Sequence, residues 1–416
     1  MSHRVQETIA AVWRIESPKL IARLARMTRD VGRAEDLAAD AFVAALAQWP
    51  SEGIPRTPGA WLMTAAKRRL IDSVRREKRL AEKTERRQNQ LPYDGAEPDF
   101  AATYEDIQDD MLRLMFVACH PVLSPEARVA LTLKLLGGLT TAEIARAYLS
   151  SEATVAQRIV RAKRALSETR VSFEVPEGQE RVQRLAPVLE ALYLIFNEGY
   201  AATAGHDVLR PELVEDALRL GRILARLMPH EAEVHGLVAL MEIQASRIPA
   251  RVASDGSAIL LLDQDRGKWN HLLIQRGLGA LARAERLGAP GPYALQASIA
   301  ACHARAATPG GTDWQRIVAL YDAFAVIMPS PVVELNRGVA VGMAYGPDAA
   351  LAIVDALLDE PSLHAYHLLP GVRGDLLFKI GRLGEARLEF ERALALAANG
   401  RDRAFFQKRA DECRNA

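Results

Sequence analysis

The chain is poor in cysteine, in aromatic residues and in long apolar runs. Cys119, Cys302 and Cys413 are its three cysteines. They stand apart, with no C-x-x-C and no second ligand at metal-site spacing. That excludes a disulfide framework and a cysteine-based zinc site, and it fits a reducing compartment, the cytoplasm. Cys119 beside His120 reads as a buried core thiol, because adjacent residues seldom ligate one metal. Aromatics make up 6% of the 416 residues, and Val and Ile rarely alternate with polar residues, which leaves an all-helical reading. No stretch reaches the roughly 20 apolar residues of a membrane span, and the N-terminus lacks a signal-peptide apolar core. Net charge is scarce too, at +1. The balance is uneven, however: residues 1–170 hold 27 Lys and Arg against 22 Asp and Glu, while the remainder holds 26 against 30. Only the front of the chain is therefore suited to nucleic acid.

The stretch from Ser124 to Leu166 carries the clearest local grammar. Gly137-Gly138 stops an apolar helix, and Thr140-Thr141-Ala142-Glu143 fits a capping box at the start of the next. Ile144 and Ala145 face inward, and Ser151 caps a further helix. On that helix Val155, Ile159, Ala162 and Leu166 form one narrow apolar stripe. The other side carries Ala153, Gln157, Arg161 and Arg164, flanked by Thr154, Arg158 and Lys163. A helix that is short-polar in front and basic behind suits a major groove, its front residues reaching base edges and its arginines holding phosphates. A solvated amphipathic helix would share much of this pattern.

Earlier in the chain, residues 4–30 read as amphipathic helix with Trp13, Ile15, Leu20, Ile21 and Leu24 facing in. A break at Asp30–Gly32 precedes an acidic helix start running through Phe42, Leu46 and Trp49. Residues 50–58 read as a Pro- and Gly-rich loop, and a third helix starts near Trp61. Between Lys67 and Arg87 ten basic residues face four acidic ones, which makes that helix strongly cationic. Residues 81–108 change character: from Asp94 to Asp110 there are seven acidic residues and no basic one, so this is a linker. A plain solvated tether accounts for that composition.

Three segments, Ala34–Phe42, Ala60–Arg76 and Gly138–Leu166, together resemble bacterial sigma factors of the extracytoplasmic-function (ECF) type. Their order and separation match that family's regions 2 and 4. The resemblance implies that region 2 (residues 1–80) docks on core RNA polymerase and captures the melted −10 strand. It implies that region 4 (residues 109–170) reads the −35 element through Ala153, Thr154, Gln157, Arg158, Arg161, Lys163 and Arg164. Polymerase contacts are expected at Glu35, Asp36, Leu37, Asp40 and Phe42. The −10 strand is expected at Ile54, Pro55, Arg56, Thr57, Trp61, Lys67, Arg68, Arg69, Arg75 and Arg76, with the loop tip Ile54–Thr57 receiving a base. Ala39 and Arg68 stand where the family often has Gln and Asn.

The remaining residues, 177–416, read as a succession of helices split at Gly199, Pro229, Pro249, Gly288–Pro292, Pro309–Gly311 and Pro329–Pro331. Gly374, Ala386, Phe390 and Ala393 repeat an arrangement set 36 residues upstream by Gly338, Ala350, Val354 and Leu357, a period close to that of stacked helical hairpins. With Leu192–Tyr200, Leu261–Asn270 and Thr312–Asp322, this part resembles the sigma-factor subgroup with a fused tetratricopeptide-like domain. The fold expected is thus all-α: two small DNA- and polymerase-binding domains followed by an α-solenoid. Its groove suits a protein or small-ligand partner. Asp263, Asp265, Arg266, Glu198 and His271 form the one cluster that invites an enzymatic reading. No nucleophile motif, phosphate loop or histidine metal spacing accompanies them, so neither catalysis nor a cofactor is expected. A stand-alone helix-turn-helix regulator with a solenoid sensor is the rival reading, and the second basic module at Ala34–Arg76 is what it does not need.

Overall fold

The computed structural model describes residues 3–83, 104–148, 150–169, 171–200, 211–253, 259–397 and 400–415. Most of the acidic linker expected at residues 81–108 lies outside them. The chain divides into two compact units, Met1–Ile195 and Phe196–Ala416.

The first unit holds α1 (His3–Thr28), α2 (Val31–Glu52), α3 (Pro58–Lys83), α4 (Tyr104–Ala118), α5 (Pro125–Thr132), α6 (Thr141–Ala147), α7 (Glu152–Glu168) and most of α8 (Gly178–Tyr200). Helices α1, α2 and α3 pack on one another, burying Leu20, Ile21, Leu24, Leu62 and Leu70. Ile15, expected inside, is 62% exposed. It stands nine residues before Leu24, roughly half a turn round an α-helix, and therefore on the opposite side. Asp30 caps α2, its carboxylate accepting from the Arg33 amide at 2.9 Å. Pro50 sits in the last turn of α2 rather than in the loop, which shortens the loop to residues 53–57.

The modules expected on either side of the linker pack directly: α1 lies against α4 and against the π-helical turn Leu133–Gly137. Gly138 ends that turn with φ of 74°, and a Cβ there would come within 3.4 Å of the Arg14 backbone. Glycine is needed on both counts. Helix α8 begins in the same unit. The half-buried Arg128 reaches Glu190 on α8 at 2.6 Å, and Arg184 donates to the carbonyl oxygen of Phe116 at 3.2 Å.

The second unit contains α9 (Pro211–Leu227), α10 (Ala232–Ala245), α11 (His271–Leu287), α12 (Pro292–Arg305), α13 (Trp314–Ile327), α14 (Pro331–Tyr345), α15 (Pro347–Asp355), α16 (Leu368–Lys379), α17 (Leu383–Leu396) and α18 (Gly400–Asn415). From α12 onward each helix packs on the next in sequence. Helix α10 is buried nearly all round, with α9, α11 and α12 against it.

The repeat read from sequence has a packing basis. A Cβ on Gly374 of α16 would meet the Phe390 ring of α17 at 2.9 Å, and one on Gly338 of α14 would meet Val354 of α15 at 3.2 Å. In each pair a residue without a side chain receives the bulk of its partner helix. Gly374→Ala should therefore lose more to overpacking, roughly 1–3 kcal/mol, than the roughly 1 kcal/mol that alanine gains in a helix. Gly384→Ala, with nothing within 4 Å of its Cβ position, should not lower the melting temperature. Thermal unfolding of the two variants separates packing from propensity.

Candidate nucleic-acid interface

Helix α7 is built as the sequence indicates. Thr140 and Glu143 exchange bonds at the start of α6: the Glu143 carboxylate accepts from the Thr140 amide at 2.7 Å, and the Thr140 hydroxyl accepts from the Glu143 amide at 3.1 Å. Ser151 caps α7 by accepting from the Thr154 amide at 3.1 Å. Val155, Ile159, Ala162 and Leu166 are buried, and Ile144 and Ala145 lie beneath. Ala153, Thr154, Gln157, Arg161 and Arg164 are exposed on α7, and Arg158 is half-buried. Between α5 and α7 runs a cleft of about 370 Å³ lined by Val122, Leu123, Gln157, Arg158 and Arg161. Arg158 acts on Glu126 at its edge, whose carboxyl lies below its usual range chiefly through hydrogen bonds from its own amide and Ser124. Arg164 is tied to Glu168 at 2.6 Å, a fully solvated pair whose geometry the solvent readily loosens.

Lys163 does not share that face. It pairs with Glu35 at the start of α2, and Lys134 reaches the same carboxylate at 3.5 Å. Lys163 stands only about 40° round the helix from the buried Ile159, so its stem follows the packed side. One contact thus joins a residue expected at the −35 element to one expected at polymerase.

On the basic α3, Arg68, Arg75 and Arg76 are exposed, while Arg69 binds Asp40 of α2 at 2.9 Å. Lys67 is 9% exposed. Burial first, and then the charge of Arg23, push its ammonium pKa down. It is a core-side lysine, placed there by its i,i+3 relation to the buried Leu70. Trp61 is half-buried edge-on to the buried Trp49, 5.3 Å between centroids, so the two rings brace the ends of α2 and α3. In the connecting loop Arg56 and Thr57 are exposed, with Ile54 and Pro55 half-buried. Leu37 continues the buried stripe Ala34, Ala38, Ala41, Ala45 and Trp49, and it is a core residue. Phe42 stacks on Trp13 at 4.4 Å, and among the residues expected at polymerase Asp36 and Asp40 are the exposed acidic ones.

Sequence reasoning missed the charge centre behind this surface. Asp110 of α4, 1% exposed, takes Arg113 at 3.0 Å, Arg23 at 3.2 Å and Arg26 at 3.4 Å. Its place in a run of acidic residues concealed it.

In the second unit, Asp263 and Asp265 are exposed, and Asp265 accepts from the Gly267 amide at 2.9 Å. Among the described residues no group of three metal-ligating side chains forms. No helix among them is long and apolar enough to cross a membrane.

Two helical modules in one chain, each with exposed arginines over an apolar stripe, are the arrangement expected of a promoter-recognition subunit. Comparison with known proteins agrees. Residues 13–80 match the Sigma-70 region 2 family, and residues 113–166 match Sigma-70 region 4. Residues 184–285 match a family of unknown function, DUF6596. The chain is 42% identical over 397 residues to an uncharacterized protein of Rhizobium meliloti (strain 1021), covering 95% of this chain and 93% of that one. It is 27% identical over 281 residues to the probable ECF RNA polymerase sigma factor SigI of Mycobacterium tuberculosis, covering 65% of this chain and 94% of that protein. The ECF RNA polymerase sigma factor SigK of Mycobacterium ulcerans matches at 28% over 151 residues, 34% of this chain and 75% of that one. The chain belongs to the ECF-type sigma factors and carries a helical C-terminal extension. It is an alternative sigma factor that directs transcription initiation.

Proposed function

We propose that this sigma factor reads the −35 element with the exposed face of α7 and holds the melted −10 strand along Arg56, Thr57, Arg68, Arg75 and Arg76. Asp36 and Asp40 present the acidic face of α2 to core RNA polymerase, and the helical extension modulates initiation without catalysing a reaction. The observation that carries this is the arrangement of α7: Gln157 stands exposed near its front, with Arg161 and Arg164 exposed one and two turns behind. An amide side chain in front can bond a base edge, and guanidinium groups behind it can bond the backbone on either side.

Promoter-specific transcription with core polymerase tests the assignment. Gln157→Ala should relax preference at one or two −35 positions, removing about 1–3 kcal/mol of discrimination. Arg161→Ala should weaken cognate and non-cognate promoters alike and lower the salt slope by about one phosphate contact. Lys163→Ala should leave base preference unchanged, because its ammonium serves Glu35. If Arg161→Ala changes base preference while Gln157→Ala changes nothing, the orientation of α7 on DNA is wrong.

A further inference from the structure

Five buried polar atoms without a hydrogen-bond partner belong to one neighbourhood of the second unit. They are Nε of Arg247, Nε of Arg266, Nε1 of Trp269, Oε1 of Gln264 and Nδ1 of His303. The neighbourhood is knit by short contacts. Arg266 donates through Nη1 to the carbonyl oxygens of His303 at 2.6 Å and Ala306 at 2.5 Å and through Nη2 to the Thr312 hydroxyl at 3.3 Å, which leaves Nε as its open donor, and its guanidinium stands 4.9 Å over the Trp269 ring. The Asn270 amide donates to the Ser246 carbonyl at 2.8 Å, which brings Arg247 alongside, close enough for its charge to act on both Arg266 and His303. Trp269, Gln264 and His303 are 4%, 8% and 7% exposed.

The charge here is one-sided. Elsewhere in the unit half-buried arginines meet carboxylates: Arg222 meets Glu242, Arg337 meets Glu334, and Arg373 meets Asp355 and Glu389. Arg247 and Arg266 have no carboxylate at ion-pair distance among the described residues. Asp263 and Asp265, the acidic residues nearest Arg266 in sequence, are exposed, and Glu242, the nearest to Arg247, is held by Arg222 at 2.8 Å. Partly buried guanidinium groups without a counter-charge are costly, and unpaired buried donors add to that cost. An anion would relieve both. His303 is also a wall of a cavity of about 320 Å³, whose other walls include Ile299, Trp314, Ile317, Met343 and, as an ion pair at 2.8 Å, Asp375 with Lys379. Apolar walls with a few convergent polar groups are what a small-molecule site looks like.

We propose that the second unit binds a small organic anion, its carboxylate or phosphate held by Arg247, Arg266, Trp269 and His303 and its apolar body seated in the adjoining cavity. The site lies wholly within the extension, so the inference stands apart from the promoter-reading assignment. It gives the extension a chemical input: a metabolite-sized acid with an aromatic or branched apolar part.

Calorimetric titration of the full chain with benzoate, phenyl phosphate and benzyl alcohol tests it. At least one of the two anions should bind saturably with a Kd of about 1 mM, a reasonable strength for so small a probe, and benzyl alcohol should bind at least about tenfold more weakly. Which anion binds tells a carboxylate site from a phosphate site. Arg247→Gln should weaken the anion about tenfold, worth about 1.4 kcal/mol, and leave benzyl alcohol unchanged. Val339→Phe, at the edge of the cavity, should weaken the aromatic probes without the charge being touched, and it decides the matter if Arg247→Gln does not fold. The proposal is overturned if neither anion binds, if benzyl alcohol binds as well as both anions, or if neither variant alters anion binding. Ordered water alone at the five polar atoms in the presence of saturating probe would overturn it as well.

Discussion

Replacing Asp110 with alanine should destabilise the first unit by about 3 kcal/mol, the range for stripping one partner from a buried ionic cluster. The carboxylate is 1% exposed and answers three guanidinium groups, of Arg23, Arg26 and Arg113. Lys67 adds a fourth positive charge, since it lies close enough to Arg23 for that charge to depress its own pKa. Without Asp110 these cations would repel one another with little water to screen them. Arg26 is 39% exposed and can turn outward, whereas Arg23 at 12% cannot do so without moving α1. The damage should fall on the seam where α1 meets α4, and so on the joint between the two DNA-binding modules. Hydrogen exchange should show faster opening of α1 and α4 amides in Asp110→Ala, while the exposed Asp36→Ala stays within about 0.5 kcal/mol of the parent. A loss below 1 kcal/mol for Asp110→Ala would mean that the arginines are hydrated already and the cluster holds nothing together.

How much of this was legible in the sequence depends on the distance between partners. The capping box at Thr140 and Glu143, the stripe of α7 and the small-to-large match of Gly374 with Phe390 are set by neighbours within a turn or a hairpin. Periodicity alone therefore exposes them. The acidic centre is different: Asp110 and Arg23 lie 87 residues apart, and nothing local marks one of seven acidic residues as the buried one. The same holds for Lys163 with Glu35, where a helical wheel places the lysine beside the packed stripe but cannot supply its acidic partner. The burial of Leu37 and Lys67 is hidden from the sequence for a related reason. Both sit in segments whose composition resembles an interface, and only the three-helix packing of α1, α2 and α3 fixes which side is inward. In the second unit the run Leu261–Asn270 is conspicuous for its carboxylates, yet Gln264 and Trp269 are its buried residues and Arg266 is half-buried.

Acid should loosen the second unit before it protonates most carboxylates, and His303 is the reason. Burial, reinforced by the charges of Arg247 and Arg266, pushes its pKa down from 6.5 to about 4. Trp314 meets the imidazole edge-on with 5.2 Å between centroids, and Tyr321, Asn336 and the Asp375–Lys379 ion pair complete the polar lining of the same cavity. The carboxylate of Asp375 is already shared between Lys379 and Arg409, each at 2.8 Å. Between pH 6.5 and about 4 the unfolded chain therefore binds a proton at this residue that the folded chain refuses. Stability linked to His303 is fully present above pH 6.5, falls as pH drops through that window, and levels off near pH 4; the loss is about 3 kcal/mol at most, one unit being 1.36 kcal/mol. The readout is hydrogen exchange of the α12 and α13 amides at pH 7 and pH 4.5, corrected for the intrinsic rate. In the parent, protection should drop by one to two orders of magnitude, the equivalent of roughly 1.4–2.7 kcal/mol. His303→Gln, which keeps a polar side chain but cannot take up a proton, should flatten that difference. A bound anion should act the other way: by placing negative charge beside the imidazole it should raise the His303 pKa and shrink the acid loss. Equal acid loss in the parent and in His303→Gln would assign the effect to other groups and remove His303 from the account.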